Sequence, residues 1–358
     1  MRALPHWVVH SIPLLTAIGL WRGGWWLAAS IVFVFVVVPI VDALVGLRVD
    51  NEETEGPLRR WAYDAPLLAW IPVQLAIVIW ATSLVASGHF NGAEVALAIV
   101  AVGLLTGGLG ITIAHELMHR RSAWERGLAE VLMTSVTYPH FCVEHVHGHH
   151  RNVATPLDPA SSRFGESVYA YLPRTILGGV RSAWGIETER AKKRGIPLTS
   201  LRHRMTRYGV GLAATYGFVS AAFGWKGVAF FAGQSLVAIV LLEIINYVEH
   251  YGLHRRELSP GRYERVQPWH SWNASHRVTN WLLINLQRHS DHHYLANRPY
   301  HQLRHYDDVP QLPAGYATMV LLALAPPLWR RVMDPRALAW QAHRPPSTEV
   351  SGTVASIA

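Results

Sequence analysis

Cysteine is almost missing: Cys142 is the only one in 358 residues. That excludes a disulfide framework, and it excludes any site built from several thiolates, such as a zinc finger or an iron–sulfur centre. Charge is scarce as well, at 16% Asp, Glu, Lys and Arg, while half of the residues are apolar. The length alone would allow two or three soluble domains, but their surfaces would need more charge than this. No internal repeat and no low-complexity tract is visible. No small-residue cleavage site follows the first apolar run, so a retained span is expected rather than a signal peptide. The formal charge of +8 is no argument for nucleic acid, because membrane proteins gather Lys and Arg in their inner loops and no folded basic domain stands out.

What the chain has in excess is apolar length. A membrane-crossing helix needs about 20 mostly apolar residues, and six stretches qualify: His6 to Trp21, Gly24 to Gly46, Pro66 to Ser87, Gly92 to His119, Arg207 to Gly224 and Gly227 to Tyr251. The first two are joined through Arg22-Gly23-Gly24 and read as a hairpin. The expected fold is all-α, a polytopic membrane helical bundle of six transmembrane helices. With both termini cytoplasmic, the outer loops hold Arg22 and Lys226, while Arg48, Arg59, Arg60 and the arginine-rich 120–207 region face inward. Residues 1–335 read as one integral-membrane domain, its cytoplasmic loops 120–206 and 252–335 completing the site. Residues 336–358 read as a disordered tail, Pro345 to Ala358 being small and polar.

Between the fourth and fifth spans, Gly127 to Phe141 is too short to cross and is expected at the interface or under the bundle. A turn at Thr155 to Pro159 and a basic helix-like stretch, Ile186 to Arg207, follow it. Beyond the sixth span, the apolar stretch Gly315 to Trp329 is broken by Pro326 and Pro327 and is expected to lie along the membrane surface.

Histidine is the abundant metal ligand, with 21 copies. His115 and His119 stand at i and i+4 in ITIAHELMHRR, where an apolar run ends, so a helix puts both on one face. With Glu116 they spell H-E-x-x-H, the pattern of a zinc protease whose Glu is general base. A second cluster, EHVHGHH, holds His145, His149 and His150. His250 ends the sixth span in NYVEHYG, and LQRHSDHH holds His289, His292 and His293. Spacings of three and four are expected to put the outer members of each cluster on one helical face. His147 points to the opposite face from His145 and His149 and is left out. His301 and His305 lie in a polar loop without a third partner, and His6, His10, His89, His203, His254, His270 and His276 read as ordinary surface or hydrogen-bonded residues. A zinc site uses three or four protein ligands, so the motif histidines suffice for two metal ions. Imidazole suits zinc, copper, iron and nickel alike. Carboxylates are absent from the ligand spacing, which sets the site apart from di-iron bundles built on Glu and Glu-x-x-His.

Four acids adjoin motif histidines: Glu116, Glu144, Glu249 and Asp291. Neighbours on a helix point about 100° apart, so each is expected to reach across to a histidine of another cluster and accept its second ring N–H. Glu243, two turns before His250, is either a functional acid in the span or a helix-packing hydrogen-bond partner.

Three clusters of H-x(3,4)-H, H-x(2,3)-H-H and H-x(2,3)-H-H type in a multi-span chain resemble the integral-membrane fatty acid desaturase and hydroxylase superfamily. Within it, NYVEHYGL, LQRHSDHH and ATPLDPASSR are similar to the AlkB-type alkane 1-monooxygenases, over roughly residues 40–310. The resemblance implies two iron ions in a non-haem di-iron site, with His115, His119, His145, His149, His150, His250, His289, His292 and His293 as metal ligands and no catalytic residue beyond them. It implies six membrane helices in a bacterial inner membrane, with the irons at the cytoplasmic boundary. It also implies O2-dependent hydroxylation of the terminal methyl of an alkane taken from the bilayer, with electrons from rubredoxin and its reductase. HELMHRR departs from the HELGHK wording of well-known alkane hydroxylases. The departure leaves the ligands intact but opens the substrate to aromatic methyl groups, as in xylene monooxygenases. Three rivals stand beside this. A membrane desaturase would share the metal site, an intramembrane zinc protease would leave seven histidines idle, and a metal transporter would carry ligands near the midplane and repeated halves.

Overall fold

The structure, a computed structural model, describes residues 3–51 and 60–343. It is built of helices, with one two-stranded hairpin among the described residues. A 3-10 turn, Leu4–His10, leads into α1, Ser11–Arg22. The chain then reverses into α2, Gly24–Val45, which is followed by α3, Arg60–Ala86, and α4, Gly92–Met118. Asn91 starts α4 with a capping box: its side chain accepts the N–H groups of Ala93 and Glu94, and the Glu94 carboxylate accepts the N–H of Asn91. The short helix α5, Ala123–Thr134, packs Ala129, Leu132 and Met133 into the core. Residues 141–152 form α6, and Val168–Lys193 form α7. The longest helical stretch is α8, Arg204–His250. The hairpin strands β1, Glu257–Ser259, and β2, Arg262–Tyr263, precede α9, Arg277–Leu282, α10, His289–Tyr294, α11, Tyr316–Ala323, and α12, Pro326–His343.

Among the described residues four helices are long and apolar enough to cross a membrane: α2, α3, α4 and α8. The six expected spans differ from this at two places. The first is α-helix only from Ser11 on, within the 12-residue α1, the rest being 3-10 turn. The fifth and sixth are one 47-residue stretch whose helical dihedrals fail at Gly224, at φ 64° and ψ −168°. The chain reverses there. The rings of Tyr216 and Phe231 meet edge-on at 5.4 Å, whereas a straight helix would separate them by about 22 Å. Thr137 Oγ1 also reaches both Tyr216 Oη, at 3.0 Å, and Ser235 Oγ, at 3.1 Å. A positive φ of this kind is open to glycine without a Cβ penalty, and it falls at the residue where the expected fifth span ends, just before the sixth begins at Gly227.

Three other expectations change. The helix expected over Ile186 to Arg207 starts earlier and ends at Lys193, because the Gly195-Ile196-Pro197 sequence stops it. The disorder expected from residue 336 does not begin there: α12 runs through Pro335 to His343, its buried Trp329, Met333 and Ala337 packing on the bundle. The all-α expectation missed the hairpin, which turns at Pro260-Gly261. Arg59 and the stretch from Pro345 to Ala358 lie outside the described residues.

Close helix packing positions the site. A Cβ on Gly107 would stand 2.5 Å from Cα of Ala238, so α4 and the second half of α8 meet backbone to backbone. Residues Leu105–Gly110 form a π turn there. Such turns offset the α-helical phase, and this one comes immediately before the segment bearing His115.

Candidate metal centre

All nine motif histidines converge, in two groups. One consists of His115, His119, His145, His150 and His292, and the other of His149, His250, His289 and His293; within each, one ligand atom per residue lies within 4.8 Å of the rest. Four helices supply them: α4 and the residue after it, the α6 segment, the end of α8, and α10. His147 stays out of both groups. His301 does too, stacked on Tyr63 at 4.0 Å, as does His305, whose ring meets Ser275 Oγ at 2.8 Å.

The partition departs from the expected α-helical spacing. His145 and His149, at i and i+4, fall into different groups, while His145 and His150, at i and i+5, share one. Residues His145–His149 form a π turn, in which i and i+5 align. Nε2 of His145 and Nε2 of His150 are accordingly 3.0 Å apart.

The donor set fits metal ions. In the first group Nε2 of His292 is 3.0 Å from that of His150. In the second, the Nε2 pairs of His293 with His289, His149 with His293, and His289 with His250 are 2.9, 3.2 and 3.3 Å apart. Two imidazole nitrogens bound about 2.1 Å from one ion at right angles would be about 3.0 Å apart. The buried Nε2 atoms of His115 and His119 have no hydrogen-bond partner. Burial, with mutual repulsion among the rings, holds His145, His150, His289, His292 and His293 well below the ordinary histidine range, so these rings carry the lone pairs that coordination needs. His149 differs. Burial lowers it too, but the Asp158 carboxylate outweighs burial and pushes it up to about 9.

Asp158 is the site residue that spacing did not reveal. Nδ1 of His149 donates to its carboxylate at 2.9 Å, leaving Nε2 toward the group. Ser161 Oγ and the N–H of Ala160 hold the same carboxylate, at 2.6 and 3.0 Å. The one available signal was its place in ATPLDPASSR, just after the second cluster.

The four acids flagged beside the histidines behave differently from expectation. Glu249 does reach another cluster, with Oε2 3.2 Å from Nε2 of His289, while Tyr316 Oη donates to Oε1 at 2.7 Å. It thus meets the nitrogen that faces the group rather than the one behind. Glu116 is taken by Arg120 at 2.7 Å and by the N–H of Tyr300. Asp291 is filled by Arg298, the N–H of Arg304 and Tyr306 Oη, and so anchors the 298–306 loop. Glu144 is buried against Gly148 and Gly179; burial, reinforced by Asp158, pushes it up to about 8. Glu243 accepts from Tyr138, Thr175 and Asn246, which is the helix-packing role.

Two small cavities lie one behind the other beside the histidines. A small cavity of about 20 Å³ lies against His115, His145, His289 and Glu249. A neighbouring cavity of about 50 Å³, bounded by α1, α2, α4, α8, α9 and α11, shares Ile245 with it. Its lining includes Val34, Phe35, Val38, Leu104 and Val320.

Similarity to known proteins can now be set beside this geometry. The fatty acid desaturase family profile matches residues 91–323. Alkane 1-monooxygenase 1 of Pseudomonas aeruginosa is 46% identical over 323 residues, 88% of this chain and 84% of that protein. Alkane 1-monooxygenase 2 of Alcanivorax borkumensis is 41% identical over 342 residues, 93% and 89% of the two chains. The hydroxylase component of a Pseudomonas putida xylene/toluene monooxygenase is more distant, 28% identical over 342 residues, 92% and 89%.

Proposed function

The chain belongs to the fatty acid desaturase family, and from that premise we propose how its site works as a membrane alkane 1-monooxygenase. The observation that carries the reading is the meeting of the nine histidines, in groups of five and four, with an apolar cavity one residue, Ile245, away from them. The first group would hold one iron ion and the second another. When bound, the irons supply the activation of O2 and the oxidation of the C–H bond, giving a primary alcohol and water.

The protein's own part is to hold, orient and exclude. The rings that burial keeps neutral present their lone pairs, while Asp158 accepts Nδ1–H of His149 from behind and fixes its orientation, so that a bound iron would replace the proton on its Nε2. The apolar cavity takes an alkane out of the bilayer without passage through water. Ile245, on the wall common to both cavities, leads its terminal methyl toward His115, His145 and His289. No side chain is required as a general base. The xylene-type relative is the distant one, which does not favour an aromatic substrate.

The bundle crosses a bacterial inner membrane six times, with α1 and the two halves of α8 counted separately and both termini cytoplasmic. The 1–335 region works as one domain. Its electrons come from a rubredoxin-type carrier and a reductase, because a chain with one cysteine cannot build a thiolate redox centre of its own.

The test supplies the purified protein with a rubredoxin system and with octane, xylene and a fatty acid in parallel. Two irons per chain and 1-octanol as the main product are expected. One zinc per chain with peptide cleavage would overturn the reading.

A further inference from the structure

A groove away from the histidines is far roomier than either cavity beside them. It lies among α3, α5 and the first half of α8 and holds about 490 Å³, against about 20 and 50 Å³ at the metal centre, and none of the nine histidines lines it. Ile79, Val131 and Phe218 on its wall are exposed, whereas Val78, Val219 and Phe231 are buried, so it opens sideways between two helices long and apolar enough to cross a membrane. Two glycines of the lining keep it open. A Cβ on Gly127 or on Gly211 would meet nothing within 4 Å.

The groove is polar at one end only. Along its length the threonine hydroxyls are spent on their own helices: Thr82 Oγ1 donates to the carbonyl of Val78 at 2.6 Å, Thr134 Oγ1 to that of Glu130 at 2.7 Å, and Thr215 Oγ1 to that of Gly211 at 2.9 Å. Such bonds leave these donors with nothing to offer a ligand. At the start of α8, Arg207 Nη2 and Tyr208 Oη donate to the Glu130 carboxylate, at 3.1 and 2.7 Å, and Arg204, outside the lining, donates to it at 3.0 Å. Two guanidinium groups on one carboxylate leave one positive charge over. Arg207 spends only Nη2 there; among the described residues its Nε and Nη1 donate no hydrogen bond, and its side chain is 44% exposed.

These features describe a ligand with an anionic head and one apolar chain. Guanidinium donors suit a phosphate, and basic groups at a membrane boundary attract anionic lipids. From Arg207 to Phe223 the wall follows α8 for about 24 Å at 1.5 Å per residue. One leaflet of a hydrocarbon core about 30 Å thick spans about 15 Å, so an acyl chain fits lengthwise. An alkane would leave the arginine donors unused.

We propose that this groove binds an anionic phospholipid, with its phosphate on Arg207 and one acyl chain lying past Gly211 toward Phe223. The lipid fills the space between α3, α5 and α8. The site is independent of what the histidines do.

The test places the full-length protein in nanodiscs of equal parts phosphatidylglycerol and phosphatidylcholine, releases it into native mass spectrometry and counts the phospholipid retained per chain. Iron content and octane hydroxylation are measured on the same preparations. Gly211→Leu and Gly127→Leu each put a side chain into the open groove from a different helix. Arg207→Gln removes the charge at its end. Gly209→Leu is the control, an exposed position on the opposite side of α8 where a Cβ also meets nothing. Wild type is expected to retain phosphatidylglycerol at least fivefold over phosphatidylcholine. Each groove-filling variant should lose at least fivefold of that lipid, and Arg207→Gln should bring the two lipids within twofold of each other. Gly209→Leu should match wild type, and iron content should be unchanged throughout. Equal retention of both lipids by wild type, or wild-type retention of phosphatidylglycerol in both groove-filling variants, would overturn the proposal. Two further results would overturn it by naming another occupant. With lipid unchanged, a dimer that Gly211→Leu splits would give the groove to a second copy of the chain, and octane hydroxylation that Gly211→Leu abolishes would give it to the alkane.

Discussion

Asp158 and His149 form a buried pair in which the ring donates Nδ1–H to the carboxylate at 2.9 Å, while Nε2 of the same ring lies 3.2 Å from Nε2 of His293. The carboxylate thus sets which nitrogen carries the proton and which faces the metal group. Partners of this kind typically contribute 10–100-fold in metal affinity or activity. Asp158→Asn should therefore lower iron occupancy in a chelator competition by about that factor, while the helical circular dichroism signal stays as in wild type. Unchanged occupancy would remove Asp158 from the site.

How much of this was legible follows from where the information lies. The histidines were readable because several neutral donors at short spacing have few uses other than coordination. Their partition was not, because it depends on the π turn at His145–His149, and no periodicity rule separates one extra residue in a turn from an ordinary helix. Asp158 stands nine residues from the ring it holds, across a turn that spacing arguments do not bridge. Glu116 and Asp291 misled for the same reason: adjacency in sequence said nothing of Arg120 or Arg298, which take their carboxylates. The spans were legible as apolar length, and so was the break at Gly224, but that the first of them begins as a 3-10 turn was not.

The contact between Gly107 and Ala238 gives a packing prediction. A methyl group at Gly107 meets backbone at 2.5 Å, and backbone cannot move aside as a flexible side chain does. Gly107→Ala should cost about 1–3 kcal/mol, the range for overpacked cores, seen as a lower Tm in detergent and weaker iron retention. Gly185→Ala on α7, where a Cβ meets nothing, should be neutral or raise Tm, since Ala is the better helix former by about 1 kcal/mol.

Ile245 lies on the wall common to the apolar cavity and the small cavity at the histidines. Ile245→Trp should close that junction. Octane hydroxylation is expected to fall at least tenfold while iron content is unchanged, measured by product chromatography and metal analysis on one preparation. Full octane activity in that variant would mean the alkane enters elsewhere.

Cys142 is buried, and burial, with Glu130 adding to it, pushes its thiol up to about 12. The reactive form is the thiolate, so raising pH from 7 to 9 leaves the folded protein's thiol neutral, whereas an ordinary exposed cysteine would ionise across that window. Alkylation should be slow and nearly flat with pH until denaturant is added, then fast. A labelling rate that climbs with pH in the folded protein would show an accessible thiol.

Glu116 decides between the zinc protease pattern and the role that its contacts describe. A general base must face a metal-bound water, yet this carboxylate is held by Arg120 at 2.7 Å and by the N–H of Tyr300. Arg120 also pairs with Asp64 at 3.0 Å, so the cluster ties the end of α4 to the start of α3 and to the 300 loop. Glu116→Gln keeps the shape but removes the charge facing Arg120, which remains partly compensated by Asp64. The expected cost is about 1.5–3 kcal/mol, the range for hydrogen bonds to charged groups, read as a lower Tm. Hydroxylation per bound iron should stay within about twofold of wild type, since the ring nitrogens of His115 and His119 make no contact with this acid. Activity per iron that vanishes at unchanged Tm would restore Glu116 to the chemistry and overturn its assignment as a helix-end anchor.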